Sequence, residues 1–136
     1  MAKYVYPAQF IREESGQYSV DFPDLESCYT SGDDLNEAIL MAEDVLAYVL
    51  FDYEKEGRSI PKPSDINSIK SKTDLADNEF VNYVHCDTID YQKRNNNKAV
   101  KKTLTIPEWL NELAIKSELN FSQVLQEALM VKLNIK

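Results

Sequence analysis

The sequence predicts an α+β chain: a small antiparallel sheet crossed by one long helix, in the order βββαβ, then a separate strand–helix–helix module. Three observations point there. A run rich in Tyr, Val, Phe and Ile, a turn signal and the alternation of Tyr18, Val20 and Phe22 occupy the first twenty-two residues, and a stripe at helical spacing runs from Leu35 to Tyr53. Lys101–Ile106 then alternates again, with no local hairpin partner.

The elements follow in order. Lys3–Ile11 is rich in Tyr, Val, Phe and Ile and reads as a first strand, with Pro7 marking an edge or a bulge. Glu13-Glu14-Ser15-Gly16 is a turn signal, and Gln17–Phe22 sets Tyr18, Val20 and Phe22 against polar neighbours, completing a hairpin. Pro23-Asp24 ends that strand, and Ser27–Ser31 reads as a short third one. Asp34, with Glu37 three residues on, has the form of a capping box. Leu35, Ala38, Ile39, Ala42, Val45, Leu46, Val49 and Tyr53 share one face of the helix that follows, and Gly57 is its natural stop. This helix should lie across the sheet as the main core element. Residues 61–78 are polar and bear prolines, the composition of a surface connection. Glu79–Cys86 reads as a fourth strand, and residues 91–98, basic and Asn-rich, read as a linker. The expected division is a first domain over residues 1–90, the linker, and a second domain over 99–136.

In the tail, Lys101, Thr103 and Thr105 share one side of the strand, while Lys102, Leu104 and Ile106 share the other. A lone strand is not stable, so this one must borrow a partner, and a second copy of the chain can supply it. The resulting two-stranded ribbon has the dimensions of the DNA major groove. Pro107 suits the start of a helix carrying Trp109, Leu110, Leu113 and Ala114. Asn120, with Gln123 at the capping-box position, restarts the pattern, and Phe121, Val124, Leu125, Ala128 and Leu129 form the second helical stripe. A short strand and two helices are too small to close a core alone, which requires an intertwined dimer.

Charge divides the chain as sharply. Through residue 92 there are 7 Lys and Arg against 19 Asp and Glu, a net of −12; from residue 93 on there are 8 against 4, a net of +4. The basic tail suits phosphates, and the acidic front suits a basic protein or simple solubility. No apolar run reaches the roughly 18–20 residues of a membrane span, and no signal-like apolar segment stands at the start, so no membrane role and a cytoplasmic location are expected. Cys28 and Cys86 stand far apart with no Cys-x-x-Cys spacing, as reduced structural thiols do.

The strand, then Ile106-Pro107-Glu108-Trp109-Leu110, a helix, a short turn and a helix resemble the ribbon–helix–helix fold of Arc- and MetJ-type repressors. The resemblance implies that Lys101, Thr103 and Thr105 face the bases, with Lys102 beside them. It also implies that the second helix's start, at Asn120, Phe121 and Ser122, holds a phosphate through free backbone N–H groups. A module that only dimerises is the plainer alternative.

The front run Asp21-Phe22-Pro23-Asp24-Leu25-Glu26, followed by Tyr29-Thr30-Ser31-Gly32-Asp33, resembles the HicB antitoxins of type II toxin–antitoxin systems. A subset of that family carries a C-terminal ribbon–helix–helix, so the resemblance spans nearly the whole chain. It implies a reduced RNase H-like fold, binding of a small basic HicA-like toxin that cleaves mRNA, and repression of the chain's own operon by dimers or pairs of dimers. Glu13, Glu14, Asp21, Asp24, Glu26 and Tyr29 are the candidate toxin-facing residues, because carboxylates can occupy the field meant for RNA phosphates. The alternative is a stand-alone repressor whose front domain senses a ligand or only oligomerises; no glycine-rich phosphate loop favours it.

An RNase H-like fold also invites a nuclease reading through Asp21, Asp24, Glu26, Glu43 and Asp44. Two-metal cleavage needs carboxylates converging on two cations, and the first strand lacks the acidic residue that such enzymes place there. His85, inside a strand with no nucleophile near it in sequence, is assigned no role. No catalytic residue, metal or cofactor is expected.

Overall fold

A computed structural model describes residues 3–135, and the chain divides into two compact units, one ending at Lys98 and the other beginning at Ala99. Unit 1 is built on four strands, β1 (Lys3–Arg12), β2 (Tyr18–Asp21), β3 (Tyr29–Gly32) and β4 (Glu79–Asp87), in the antiparallel order β3-β2-β1-β4. β1 pairs with β4 from Lys3↔Asp87 to Ile11↔Glu79, and only its last four residues, from Gln9, pair with β2. Pro7 stands opposite Tyr83, whose N–H turns away from β1 to its neighbour's Asn82 Oδ1 at 2.9 Å. The Pro7 nitrogen therefore faces the side where β2 has already ended, and its missing N–H costs no ladder bond.

Helix α1 (Leu35–Glu56) crosses one face of this sheet. Its start makes half of the expected capping box: Asp34 Oδ1 accepts from Glu37 N–H at 2.8 Å, while Glu37 Oε1 reaches past Asp34 to accept from Asp33 N–H at 3.1 Å. Gly57 ends it at φ 67°, with the Gly57 and Arg58 N–H groups closing on Glu54 and Tyr53 carbonyls. Ala38, Ala42, Leu46 and Leu50 meet Tyr6, Ala8, Phe10, Val20 and Phe22 in the core. Each large side chain buried there contributes about 1.5–3 kcal/mol. Phe10 stacks on Phe80 with ring centroids 4.9 Å apart. The buried stripe is narrower at its start than the spacing suggests: Leu35 and Ile39 remain 40% exposed.

Two segments depart from the sequence reading. The connection 61–78 contains a helix, α2 (Ile66–Lys72), whose N-terminus Asp65 caps by accepting from Asn67 N–H at 3.0 Å. Ile69 is buried and the Tyr83 hydroxyl oxygen accepts from Ile66 N–H at 3.2 Å, so one apolar side chain and one cross-contact hold a helix that composition hides. Most of the expected linker 91–98 is likewise helical, as α3 (Thr88–Asn95). Asp87 Oδ1 accepts from Ile89 and Asp90 N–H groups to start it, and Tyr91 packs against the core of unit 1.

Unit 2 holds α4 (Glu108–Lys116) and α5 (Phe121–Lys132). Pro107 is the residue before α4 rather than its first turn, and Asn120 caps α5 by accepting from Gln123 N–H at 3.1 Å. Gln123 Nε2 turns to Glu127 at 3.2 Å, so the second half of that capping box is not made. Among the described residues, 101–106 form no strand and pair with none.

Candidate functional site

The six acidic-surface candidates fall in three places. Glu13 and Glu14 are exposed in the β1–β2 turn, where Glu13 Oε1 accepts from the Ser19 hydroxyl at 3.0 Å. Asp21 pairs with Gln9 on one side and Tyr29 on the other, and all three lie on the face opposite α1, since Phe10 and Val20 alternate into the core. Tyr29 is 67% exposed beside that carboxylate. Asp24 is half-buried, and both its oxygens accept from Ser64. Glu26 is exposed on the loop between β2 and β3, beside a recess that also takes in Tyr48, Asp52 and Arg58. Asp21 and Tyr29 are the pair brought together as neighbours on one face.

The carboxylates of the nuclease reading are dispersed into other contacts. Glu43 Oε2 lies 3.5 Å from His85 Nε2, and Asp44 Oδ1 lies 3.7 Å from the Arg94 guanidinium. Among the described residues no three His, Cys, Asp or Glu side chains converge to hold a metal ion. Cys28 and Cys86 are buried free thiols, each pushed up to about 12 by burial first. Among the described residues no helix is long and apolar enough to cross a membrane.

Composition pointed away from a further feature. α3 lies along the C-terminal half of α1, and a groove of about 610 Å³ opens between them. Tyr91 stands edge-on to Tyr48 at 6.3 Å and tilted to Phe51 at 5.8 Å, giving the groove aromatic walls. At its far side the Glu54 carboxylate ties three elements together, accepting from the Tyr4 hydroxyl at 2.7 Å and from Thr88 Oγ1 at 3.2 Å. Burial, and then that hydrogen bond, raise the Tyr4 hydroxyl well above the ordinary tyrosine range. The sequence signal for this groove was the Asp87 cap followed by Tyr91, outweighed by the Asn-rich run after it.

In unit 2 the DNA candidates Lys101, Lys102, Thr103 and Thr105 are exposed, as are Asn120, Phe121 and Ser122 at the start of α5. Ser122 Oγ accepts from Gln126 Nε2 at 3.1 Å. The apolar side chains of this unit are not enclosed by it: Leu104 is 58% exposed, Trp109 64%, Leu113 55% and Leu129 51%.

An antiparallel four-stranded sheet under one long helix, followed by a small two-helix unit, is the architecture of a known group. Residues 6–129 match the family model described as HicB_like antitoxin of bacterial toxin-antitoxin system. The chain belongs to that family. It is 41% identical over 59 residues to antitoxin HicB 2 of Photorhabdus laumondii, a match spanning 43% of this chain and 42% of that relative's length. It is also similar to a chain of a toxin–antitoxin complex from Streptococcus pneumoniae, with 33% identity and a TM-score of 0.60. That alignment covers 96% of this chain and 99% of the other. The Burkholderia pseudomallei antitoxin HicB shares the fold at a TM-score of 0.54 and 16% identity, covering 96% of each chain.

Proposed function

We propose that this chain neutralises a small, basic, HicA-like toxin that cleaves mRNA, and that its second unit, as a dimer, represses the operon encoding both. The observation carrying the reading is the family match, which runs through both units. The similar Streptococcus pneumoniae chain comes from a toxin–antitoxin complex, which supports the first duty. The β3-β2-β1-β4 order under α1 supports reading unit 1 as a reduced RNase H-like fold.

The second duty rests on physical chemistry. Unit 2 leaves Leu104, Trp109, Leu113 and Leu129 half-exposed or more, and residues 101–106 have no strand partner among the described residues. A second copy pairing through Lys101–Ile106 removes both problems, burying the apolar stripes and completing a two-stranded ribbon. Lys101, Thr103 and Thr105 then enter the major groove, Lys102 stays near the backbone, and the free N–H groups at Asn120, Phe121 and Ser122 clamp a phosphate. Two such dimers on repeated half-sites give a tetramer on DNA.

Fluorescence anisotropy with labelled DNA from upstream of the gene tests the DNA arm. Lys101→Ala and Thr103→Ala each weaken binding about tenfold or more while sedimentation still reports the dimer. Unchanged affinity in both variants removes the ribbon-in-groove reading. Co-purification with the small protein encoded beside this chain, scored with rescue of growth, tests the toxin arm; no complex and no rescue removes it.

A further inference from the structure

The positive charge of the chain's tail is confined to its first ten residues. Residues 93–102 hold five Lys and Arg and no Asp or Glu, whereas residues 103–136 hold three lysines against four glutamates, a net of −1. Two of those three lysines, Lys116 and Lys132, stand in the last turns of α4 and α5, where a cation offsets the negative end of the helix dipole. The two helices therefore bring no surplus of positive charge to a polyanion.

Lys93 and Arg94 belong to the last turn of α3, and Arg94 lies 3.7 Å from the Asp44 carboxylate. Lys98, Lys101 and Lys102 are placed differently. All three are exposed, lie outside every helix and strand, and make no ion pair among the described residues. No carboxylate occurs in the sequence between Asp90 and Glu108. Exposed charges more than about 8 Å apart are largely screened at physiological salt, so a net charge of −8 on the whole chain does not cancel a local basic run. Extended at about 3.3 Å per residue, the stretch from Lys98 to Lys102 covers about 13 Å, against a phosphate every 3.4 Å or so along one DNA strand. Its cations can therefore meet more than one phosphate.

We propose that Lys98 is a DNA-binding residue. The segment from Lys98 to Lys102 forms an arm leading into residues 101–106, and Lys98 neutralises a backbone phosphate outside the stretch of groove that the ribbon reads. The proposal rests on the DNA-binding reading of the second unit and deepens it, adding a contact that holds DNA of any sequence. A phosphate contact positions the protein without reading a base, so Lys98 contributes affinity and salt dependence rather than sequence choice. In the proposed dimer two such arms neutralise two phosphates.

The test is fluorescence anisotropy of the full chain over a range of salt, with labelled DNA from upstream of the gene and with an unrelated duplex. Each phosphate contact contributes about 0.9 to the slope of log affinity against log salt, so Lys98→Gln is expected to lower the slope by about 1.8 per dimer. Affinity at physiological salt falls about tenfold, by the same factor on both duplexes, while Lys98→Arg keeps the wild-type slope. Lys62→Gln, an equal loss of charge at an exposed position of unit 1, leaves slope and affinity unchanged. Sedimentation checks that the dimer is kept. A wild-type slope in Lys98→Gln, with Thr103→Ala still weakening binding, overturns the arm and leaves the DNA-binding reading intact. An equal fall in slope in Lys62→Gln also overturns it, since net charge alone then accounts for the effect. Weakening on the upstream duplex alone overturns the phosphate contact and makes Lys98 a reader of bases. No binding by the wild type to either duplex overturns the DNA-binding reading and the arm with it.

Discussion

The Asp24 carboxylate is held at both oxygens by Ser64, which donates its main-chain N–H to Oδ2 at 2.8 Å and its hydroxyl to Oδ1 at 2.6 Å. The two residues are 40 positions apart, so this contact pins the loop after β2 to the segment leading into α2. Asp24→Ala is expected to destabilise unit 1 by about 1–3 kcal/mol, the range for hydrogen bonds to a charged group that is partly sheltered from water. Ser64→Ala removes only the hydroxyl bond and costs less, about 1 kcal/mol. Urea unfolding of the full chain measures both. If Asp24 serves only as this lock, toxin affinity under native conditions is unchanged in Ser64→Ala and falls in Asp24→Ala no further than unfolding accounts for. A larger fall restores Asp24 to the partner surface.

Gly32 is fixed by the approach of α1 to β3. A Cβ there would lie 2.4 Å from the Ala38 nitrogen and 2.7 Å from its Cα, both backbone atoms of the first helical turns. Gly32→Ala therefore forces the helix away from the sheet edge, at a cost of about 1–3 kcal/mol or more. Gly16 makes the contrast. It has open space around it but a φ of +90°, so Gly16→Ala costs only backbone strain, about 1–2 kcal/mol, and leaves the core in place. Near-ultraviolet circular dichroism should change for the first substitution and not for the second. Identical spectra would mean that α1 tolerates the extra methyl group.

These contacts show which parts of the molecule local sequence could declare. α1 was legible because its start, stripe and stop all agree: Asp34 and Glu37, the Ala38-to-Tyr53 face, and Gly57. The first strand was legible from its Tyr, Val, Phe and Ile content and the second and fourth from alternation, with Pro7 marking where β1 lacks a neighbour on one side. The third, expected at Ser27–Ser31, lies at Tyr29–Gly32 because Ser27 takes a left-handed turn at φ 55°. α2 and α3 were not, because each is held by a single capping aspartate and one or two packed side chains, Ile69 and Tyr91, inside runs whose polarity reads as loop. The candidate site divides in the same way. Exposed carboxylates are visible in sequence, but whether an oxygen is free or committed, as Asp24 is to Ser64, depends on a residue 40 positions away. The groove beside Tyr48 depended on a helix that composition concealed. The pairing proposed for residues 101–106 would need two chains, so one chain folded by itself cannot display it.

The buried thiols set an alkaline limit on unit 1. Cys28 and Cys86 are pushed up to about 12 from an ordinary value near 9. Protons are thus held more tightly in the folded chain than in the unfolded one. The associated stability is fully present below about pH 9 and is lost as pH rises towards 12. Tyr4 and Tyr6, both raised by burial, act in the same direction. Unfolding midpoints in urea should fall steadily above about pH 9, with a shallower fall in a Cys28→Ala, Cys86→Ala double variant. At pH 8 the native chain should react with a thiol-specific chromophore far more slowly than the urea-unfolded chain, in which both thiols titrate at once. Rapid labelling of the native chain would show that one of these thiols is accessible.

Unit 2 carries a correctable strain. Glu118, just past α4, has φ 55°, a left-handed conformation, although it is not a glycine. Its N–H closes on the Ile115 carbonyl at 3.0 Å and the Leu119 N–H on the Ala114 carbonyl at 3.1 Å, the two bonds of a Schellman ending. The turn between α4 and α5 depends on this geometry, since without it the chain could not reverse into Asn120 and the α5 cap. A side chain in that conformation costs about 1–2 kcal/mol relative to glycine, partly offset by the greater freedom glycine gains when unfolded. Glu118→Gly is expected to stabilise unit 2 by about 0.5–1 kcal/mol per chain, whereas Glu118→Val, β-branched, destabilises it. Because folding of this unit is tied to pairing with a second copy in the proposed dimer, the gain should also appear as tighter dimerisation in sedimentation at low concentration. A Glu118→Gly chain that unfolds earlier would show that the glutamate makes a contact that outweighs its backbone strain.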